Sequence, residues 1–147
     1  MSDLVYIWVA LSIGLAWVGV AIGQWILTHT TMNVMGKNPS LTTFFLTVSI
    51  LWVALIESSA IYGLVISFAI LWKEAIAWVA ALWAGITIGL TWCACWLSQG
   101  ILAKSALEAI NRNPENKAKV MAFMVLFMAL LEVIAIYGLV IAFKIIG

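Results

Sequence analysis

Four apolar runs, at roughly residues 4–30, 41–72, 75–103 and 118–146, dominate the chain. Each exceeds the roughly 20 residues that an α-helix needs to cross a bilayer. Little sequence is left over: 66% of the 147 residues are hydrophobic, against about half in an ordinary soluble domain. No soluble domain fits, and an all-α integral membrane protein of four transmembrane helices is expected. The net charge of +1 gives no basis for a nucleic-acid partner. No Lys or Arg precedes the first run and no small-residue cleavage site follows it, so a removable signal peptide is not expected.

The connections are short. "MGKNPS" (35–40) and "INRNPENKAK" (110–119) carry Asn-Pro turns that should end one helix and start the next. "WKEA" (72–75) is the polar break between the second and third runs. Lys37, Lys104, Arg112, Lys117 and Lys119 cluster around the Asn-Pro loops, whereas Lys73 and Lys144 lie at the opposite ends. The positive-inside rule places both Asn-Pro loops in the cytoplasm and both termini outside.

The chain is also an internal repeat. An offset of 75 relates Glu57 to Glu132, Gln24 to Gln99, Tyr62 to Tyr137, Pro39 to Pro114 and Trp17 to Trp92. The unit is one helical hairpin, giving two domains, residues 1–73 and 74–147. Because each unit contains two helices, the copies share one orientation. This is a parallel repeat, unlike the inverted repeats of many secondary transporters. Both carboxylates therefore stand at the same depth and face the same side.

That depth is near mid-membrane, since Glu57 lies 18 residues past Pro39 and 16 before Lys73 at about 1.5 Å per residue. An acidic residue at the centre of a membrane helix costs about 2.5–3.5 kcal/mol, and intramembrane carboxylates are functional candidates by default. Hydrocarbon favours the neutral acid unless a cation arrives to discharge the carboxylate. A protonated Glu that merely hydrogen-bonds a neighbouring helix is the competing account. Two such residues in one repeated context, "ALIESSAIYGLVISF" (54–68) and "ALLEVIAIYGLVIAF" (129–143), weigh against it.

The first helix of each hairpin supplies a partner. Gln24 and Glu57 average to position 40.5 and Gln99 and Glu132 to 115.5, each just past an Asn-Pro turn. Residues equidistant from the turn of an antiparallel hairpin are level, so each Gln can meet its own Glu. An amide can donate to a carboxylate and still offer a carbonyl oxygen. A Gln used only as interhelical glue is the alternative. Ser58 and Tyr62, four apart, share a helix face with Leu55, while Glu57 lies about 100° round. One helix thus aims its carboxylate one way and offers oxygens another way. A site shared between neighbouring hairpins, suited to a hard cation, fits that arrangement.

Other residues carry less. Cys93 and Cys95 are two apart on different faces, which favours buried, inert thiols over a metal pair or disulfide. Trp8, Trp72 and Trp78 suit interface belts, and His29 suits an interfacial position rather than a relay.

These residues resemble the membrane rotor-ring proteolipid, or c-subunit (K-type when duplicated), of rotary ATP synthases and ATPases. The carriers are the Gln24/Glu57 pair, "ESSAIY" (57–62), the loop "GKNP" (36–39) and their second-copy equivalents. The loops look like the F-type Arg-Asn-Pro loop, and the tandem fusion like V-type proteolipids. The resemblance implies a homo-oligomeric ring, first helices inside and Glu-bearing helices outside. Each Glu binds H⁺ or Na⁺, turns through membrane lipid and releases the ion beside an essential Arg of the stator. Lys37, Asn38, Pro39, Arg112, Asn113 and Pro114 would grip the central stalk. No covalent cofactor and no catalytic site of its own are implied. The setting would be a prokaryotic inner membrane.

In sodium-binding members of the resembled family, the Gln and Glu of one hairpin meet three features of the next. These are the carbonyl two before its Glu, a hydroxyl one after and a Tyr five after that steadies the carboxylate. One site here would hold Na⁺ with Gln99, Glu132, the Leu55 carbonyl and Ser58, steadied by Tyr62. The other would combine Gln24 and Glu57 with the Leu130 carbonyl and Tyr137, but Val133 lacks the hydroxyl. Two unequal sites are expected, the weaker completed by water or carrying H⁺ only. Keeping both Glu in a fused chain preserves the ions carried per turn, which points to a synthase-capable machine.

The family's first helix usually carries Gly at every second residue before the Gln. Gly23, Ala21 and Gly19 keep that spacing and Trp17 breaks it; Ser98, Trp96, Ala94 and Trp92 stand in the second copy. The indoles should push the inner helices apart and widen the ring, or else fill the gap towards the outer helices. Two other functional classes compete: a small proton-coupled membrane exporter with an intramembrane Glu, and a purely structural oligomer with neutral Glu as glue.

Overall fold

The computed structural model describes residues 3–73 and 75–147, with the backbone alone for Asp3, Ser58 and Ser59. The regular elements of the described residues are all helical: α1 (Asp3–Lys37), α2 (Thr42–Ser59), α3 (Ile61–Leu71), α4 (Trp78–Arg112) and α5 (Lys117–Ile146). Short 3-10 turns, Pro39–Leu41 and Pro114–Asn116, join α1 to α2 and α4 to α5. Four stretches are long and apolar enough to cross a membrane, α2 and α3 together forming the second.

Each turn is set by its Asn-Pro pair. A residue before proline is driven out of the helical region. Asn38 (φ −137°, ψ 79°) and Asn113 (φ −140°, ψ 84°) duly adopt nearly the same non-helical conformation. Proline then opens the 3-10 turn, where its missing N–H leaves nothing unbonded. The Asn38 and Asn113 N–H groups close the preceding helices on the Val34 and Ala109 carbonyls, at 2.9 and 3.0 Å. Both hairpins are therefore antiparallel and turn alike.

α1 and α4, each of 35 residues, are about 50 Å long. They outrun the apolar sequence and carry Lys37 and Arg112 well past a hydrocarbon core of about 30 Å. These two helices form the most extensive contact in the molecule. Glycine makes the approach possible, because a Cβ on Gly23 would meet the Trp96 carbonyl oxygen at 2.5 Å and one on Gly19 would meet the Cys93 Cα at 2.5 Å. Gly100 does the same from the other side, its missing Cβ lying 2.6 Å from the Gly23 Cα. The indoles thus do not separate the inner helices. Trp92 and Trp96 are fully buried, and Trp92 stacks on Tyr62 of α3 at 4.9 Å. They fill the space towards the outer layer, so the widening expected as one outcome of their bulk does not arise at this seam.

α2 and α3 lie against α1, partly through hydroxyls: Thr31 and Ser49 are 2.6 Å apart, Ser12 and Ser67 2.5 Å. At the other end, Lys73 Nζ donates to the Gly147 oxygen, tying the end of α3 to the end of α5.

One feature departs from four simple spans. The second tightens at Ala60, which keeps helical torsions (φ −61°, ψ −22°) while its N–H bonds the Glu57 carbonyl at 3.1 Å. The equivalent stretch of α5 runs unbroken through Glu132 to Ile146. The sequences differ only by Ser58-Ser59 against Val133-Ile134 over those six residues, "ESSAIY" against "EVIAIY".

Candidate functional site

Glu132 and Gln99 line one recess of about 360 Å³. Three helices build it. α5 contributes Met121, Val125, Met128, Ala129 and Glu132 at helical spacing; α4 contributes Gln99; α2 contributes Leu51, Trp52 and Leu55. The last set belongs to the other hairpin. Gln99 is buried, at 5% exposure, and Glu132 is half-buried. The structure therefore brings Gln99, Glu132 and Leu55 around one space between hairpins. The side chain of Ser58, the expected hydroxyl ligand, lies outside the described residues. The Tyr62 ring lies on Trp92 and does not line the recess.

Glu57 has a recess of its own, about 410 Å³, on the opposite flank of the chain. Its outer-helix wall repeats the same positions 75 residues earlier, Leu46, Ile50, Val53, Ala54 and Glu57, and adds Ser49. Its inner-helix wall differs. Thr28, Thr31, Met32 and Met35 of α1 stand there, where the second copy has Ala103, Ala106, Leu107 and Ile110, all buried. Gln24 does not line it; the Gln24 carbonyl accepts from the Thr28 hydroxyl at 2.8 Å. Thr28, Thr31 and Ser49 thus line this recess on the loop side of Glu57. Sequence spacing missed this line, although the Thr-to-Ala exchange between copies was readable.

The two recesses differ most in what closes them. α2 covers the Glu132 recess, whereas among the described residues no third helix contributes to the wall beside Glu57. The positions 75 residues on from Leu51, Trp52 and Leu55 are Leu126, Phe127 and Leu130 of α5. All three are exposed, at 52, 47 and 55%, as are Val133 and Tyr137. A second copy placed head to tail would bring this face over Glu57, in the way α2 covers Glu132. The Leu130, Val133 and Tyr137 set is accordingly not assembled with Glu57 inside one chain.

Cys95 is buried, its thiol donating to the Leu131 carbonyl at 3.5 Å, and both cysteines are free. Lys37, Asn38 and Pro39, and Arg112, Asn113 and Pro114, all stand at one end of the molecule.

Comparison with known proteins gives a consistent picture. The sequence model of the ATP synthase C-subunit family matches twice, over residues 7–70 and 82–145, again at an offset of 75. The ATP synthase c-subunit of Carboxydothermus hydrogenoformans is 39% identical over 72 residues, 49% of this chain and 88% of its own. That of Clostridium beijerinckii is 52% identical over 48 residues, 33% of this chain and 68% of its own. A chloroplast ATP synthase c-subunit from Diacronema lutheri is 41% identical over 59 residues, 40% of this chain and 71% of its own.

Proposed function

The chain belongs to the ATP synthase C-subunit family, and on that premise we propose that its copies close into a membrane ring in which each mid-membrane Glu loads and releases one cation per turn. The observation that carries the proposal is the recess shared by Gln99, Glu132 and Leu55, together with its unclosed equivalent beside Glu57. A carboxylate between two hairpins can be shielded while its cation is aboard and uncovered when a neighbour is exchanged for a stator. In a ring, α5 of each copy covers Glu57 of the next, so both sites acquire the same kind of wall. Family membership favours this reading over the small exporter, whose single carboxylate per unit would face a substrate path rather than another hairpin.

Coupling follows from charge. A loaded carboxylate is neutral and can travel facing lipid; an unloaded one needs a partner cation, the role assigned to an Arg of the stator. Each ion moved across 100 mV makes available about 2.3 kcal/mol. The Asn-Pro loops would face the cytoplasm of a prokaryotic cell and meet the central stalk there.

The two sites are unequal in this reading. Glu132 has Gln99, the Leu55 carbonyl and Ser58 for Na⁺. Glu57 faces Val133 of the next copy and is served by water or loads H⁺. Carbodiimide labelling of the purified ring, followed by peptide mass analysis, tests this. Added Na⁺ should slow modification of Glu132 and leave Glu57 little changed. Equal protection of both would remove the asymmetry. Absence of labelling at either Glu would remove the ion-carrying role.

A further inference from the structure

Tyr62 stands seven residues, or about two helical turns, after Leu55 and so shares a side of the same outer span. Leu55 lines the Glu132 recess, yet the Tyr62 ring does not. Distance along the membrane does not explain the difference. Tyr62 is five residues past the level of the carboxylates, about 7.5 Å. A long side chain on a helix leans back towards the N-terminal end, here towards that level. The phenol is a hydrogen-bond donor, and rotation of the side chain would bring it towards Glu132.

An aromatic ladder holds it elsewhere. Tyr62 stacks on Trp92 at 4.9 Å, and Trp92 lies on Trp96 at 5.1 Å, both within the range of favourable ring pairs. Trp92, Trp96 and Gln99 follow at spacings of four and three, one stripe of α4. Both indoles are fully buried, so the platform cannot swing out. Trp92 Nε1 is buried without a hydrogen-bond partner. Ring packing therefore fixes this indole, against the cost of an unpaired N–H.

The repeat supplies the pair a second time, divided between the two flanks. Trp17 and Tyr137, each 75 residues from its counterpart, are exposed at 46 and 66%. Leu130 and Tyr137 are seven apart, as Leu55 and Tyr62 are. A head-to-tail neighbour that brings Leu130 over Glu57 would bring Tyr137 towards Trp17 as well.

We propose that Trp92 is a positioning residue of the Glu132 site, holding the Tyr62 ring off the carboxylate so that Na⁺ is bound there without a phenol donor and released more readily. A phenol donating to Glu132 would fix the ionised carboxylate and tighten the ion, since hydrogen bonds to a charged acceptor are the strong ones. The proposal rests on the reading of Glu132 as an ion carrier.

Carbodiimide labelling of the purified ring, at fixed pH with Na⁺ titrated, tests it. Trp92→Leu fills much of the volume but offers no aromatic face. It should free Tyr62 and lower the Na⁺ needed for half-protection of Glu132 about tenfold, the worth of one hydrogen bond to a charged group. Misfolding cannot mimic that gain. Trp92→Phe keeps a ring beneath Tyr62 and should behave as the unsubstituted chain. Adding Tyr62→Phe to Trp92→Leu removes the hydroxyl and should abolish the gain. Glu57 labelling should not move with Trp92→Leu. The proposal is overturned if Trp92→Leu leaves half-protection of Glu132 in place or raises it, if the gain survives Tyr62→Phe, if Trp92→Phe produces it too, or if Glu57 shifts alongside. Tyr62→Phe alone provides a check that does not depend on the indole: a marked rise in the Na⁺ required would mean that the phenol already serves Glu132, and would overturn it. Absence of Na⁺ protection in the unsubstituted ring would remove the sodium reading and this proposal with it, whereas protection that Trp92→Leu leaves unmoved removes this proposal alone.

Discussion

Ser58 and Val133 follow the two membrane carboxylates at matching places in the repeat, and one oxygen atom separates what they can offer a cation. A hydroxyl supplies a lone pair to a hard ion; an isopropyl group supplies none and leaves the ion partly bare. Val133 is exposed on the flank that a second copy would cover, so restoring the hydroxyl there should alter the Glu57 site of the neighbour. Val133→Ser is expected to confer sodium protection on Glu57, lowering the Na⁺ needed for half-protection from carbodiimide about tenfold or more. Glu132 should be unaffected. The reading of Ser58 as a ligand would lose its support if Val133→Ser left Glu57 as it was.

The helices are held at a spacing that side chains smaller than alanine permit. A Cβ on Gly23 would strike the Trp96 carbonyl, a backbone atom that cannot swing away. Gly23→Ala should destabilise the α1–α4 contact by about 1–3 kcal/mol, the usual range for overpacking. Gly14, with nothing near its missing Cβ, provides the control: Gly14→Ala should leave the midpoint of detergent-driven unfolding in place while Gly23→Ala lowers it. Much of this architecture was legible in the sequence, because run length, the 75-residue offset and the Asn-Pro turns each act locally. The common height of Gln99 and Glu132 was legible too, since equidistance from a turn fixes level without knowledge of packing. Three things were not. The tightened turn at Ala60 is a local backbone adjustment that apolarity does not register. The placement of Tyr62 on Trp92 joins residues of different repeats. The extension of α1 and α4 beyond their apolar runs is supported by packing between helices rather than by hydrophobicity.

Seen whole, the chain has one closed flank and one open one. Leu126, Phe127 and Leu130 leave an apolar face uncovered in the monomer, and the recess beside Glu57 lacks a matching wall among the described residues. The complementarity is head to tail, which either closes as a ring or continues as a filament. Leu130→Trp should obstruct that closure. Intact assemblies in native mass spectrometry should give way to smaller species while circular dichroism keeps its helical signature. Full-sized assemblies with Leu130→Trp would mean that another face joins the copies.

The tightened turn at Ala60 has a mechanical corollary. One outer span of each chain carries such a turn beside its carboxylate and the other runs as regular α-helix. A wheel assembled from such chains carries two kinds of tooth in strict alternation. Its pauses against a fixed stator would then fall into long and short beats, repeating with the number of chains rather than the number of hairpins.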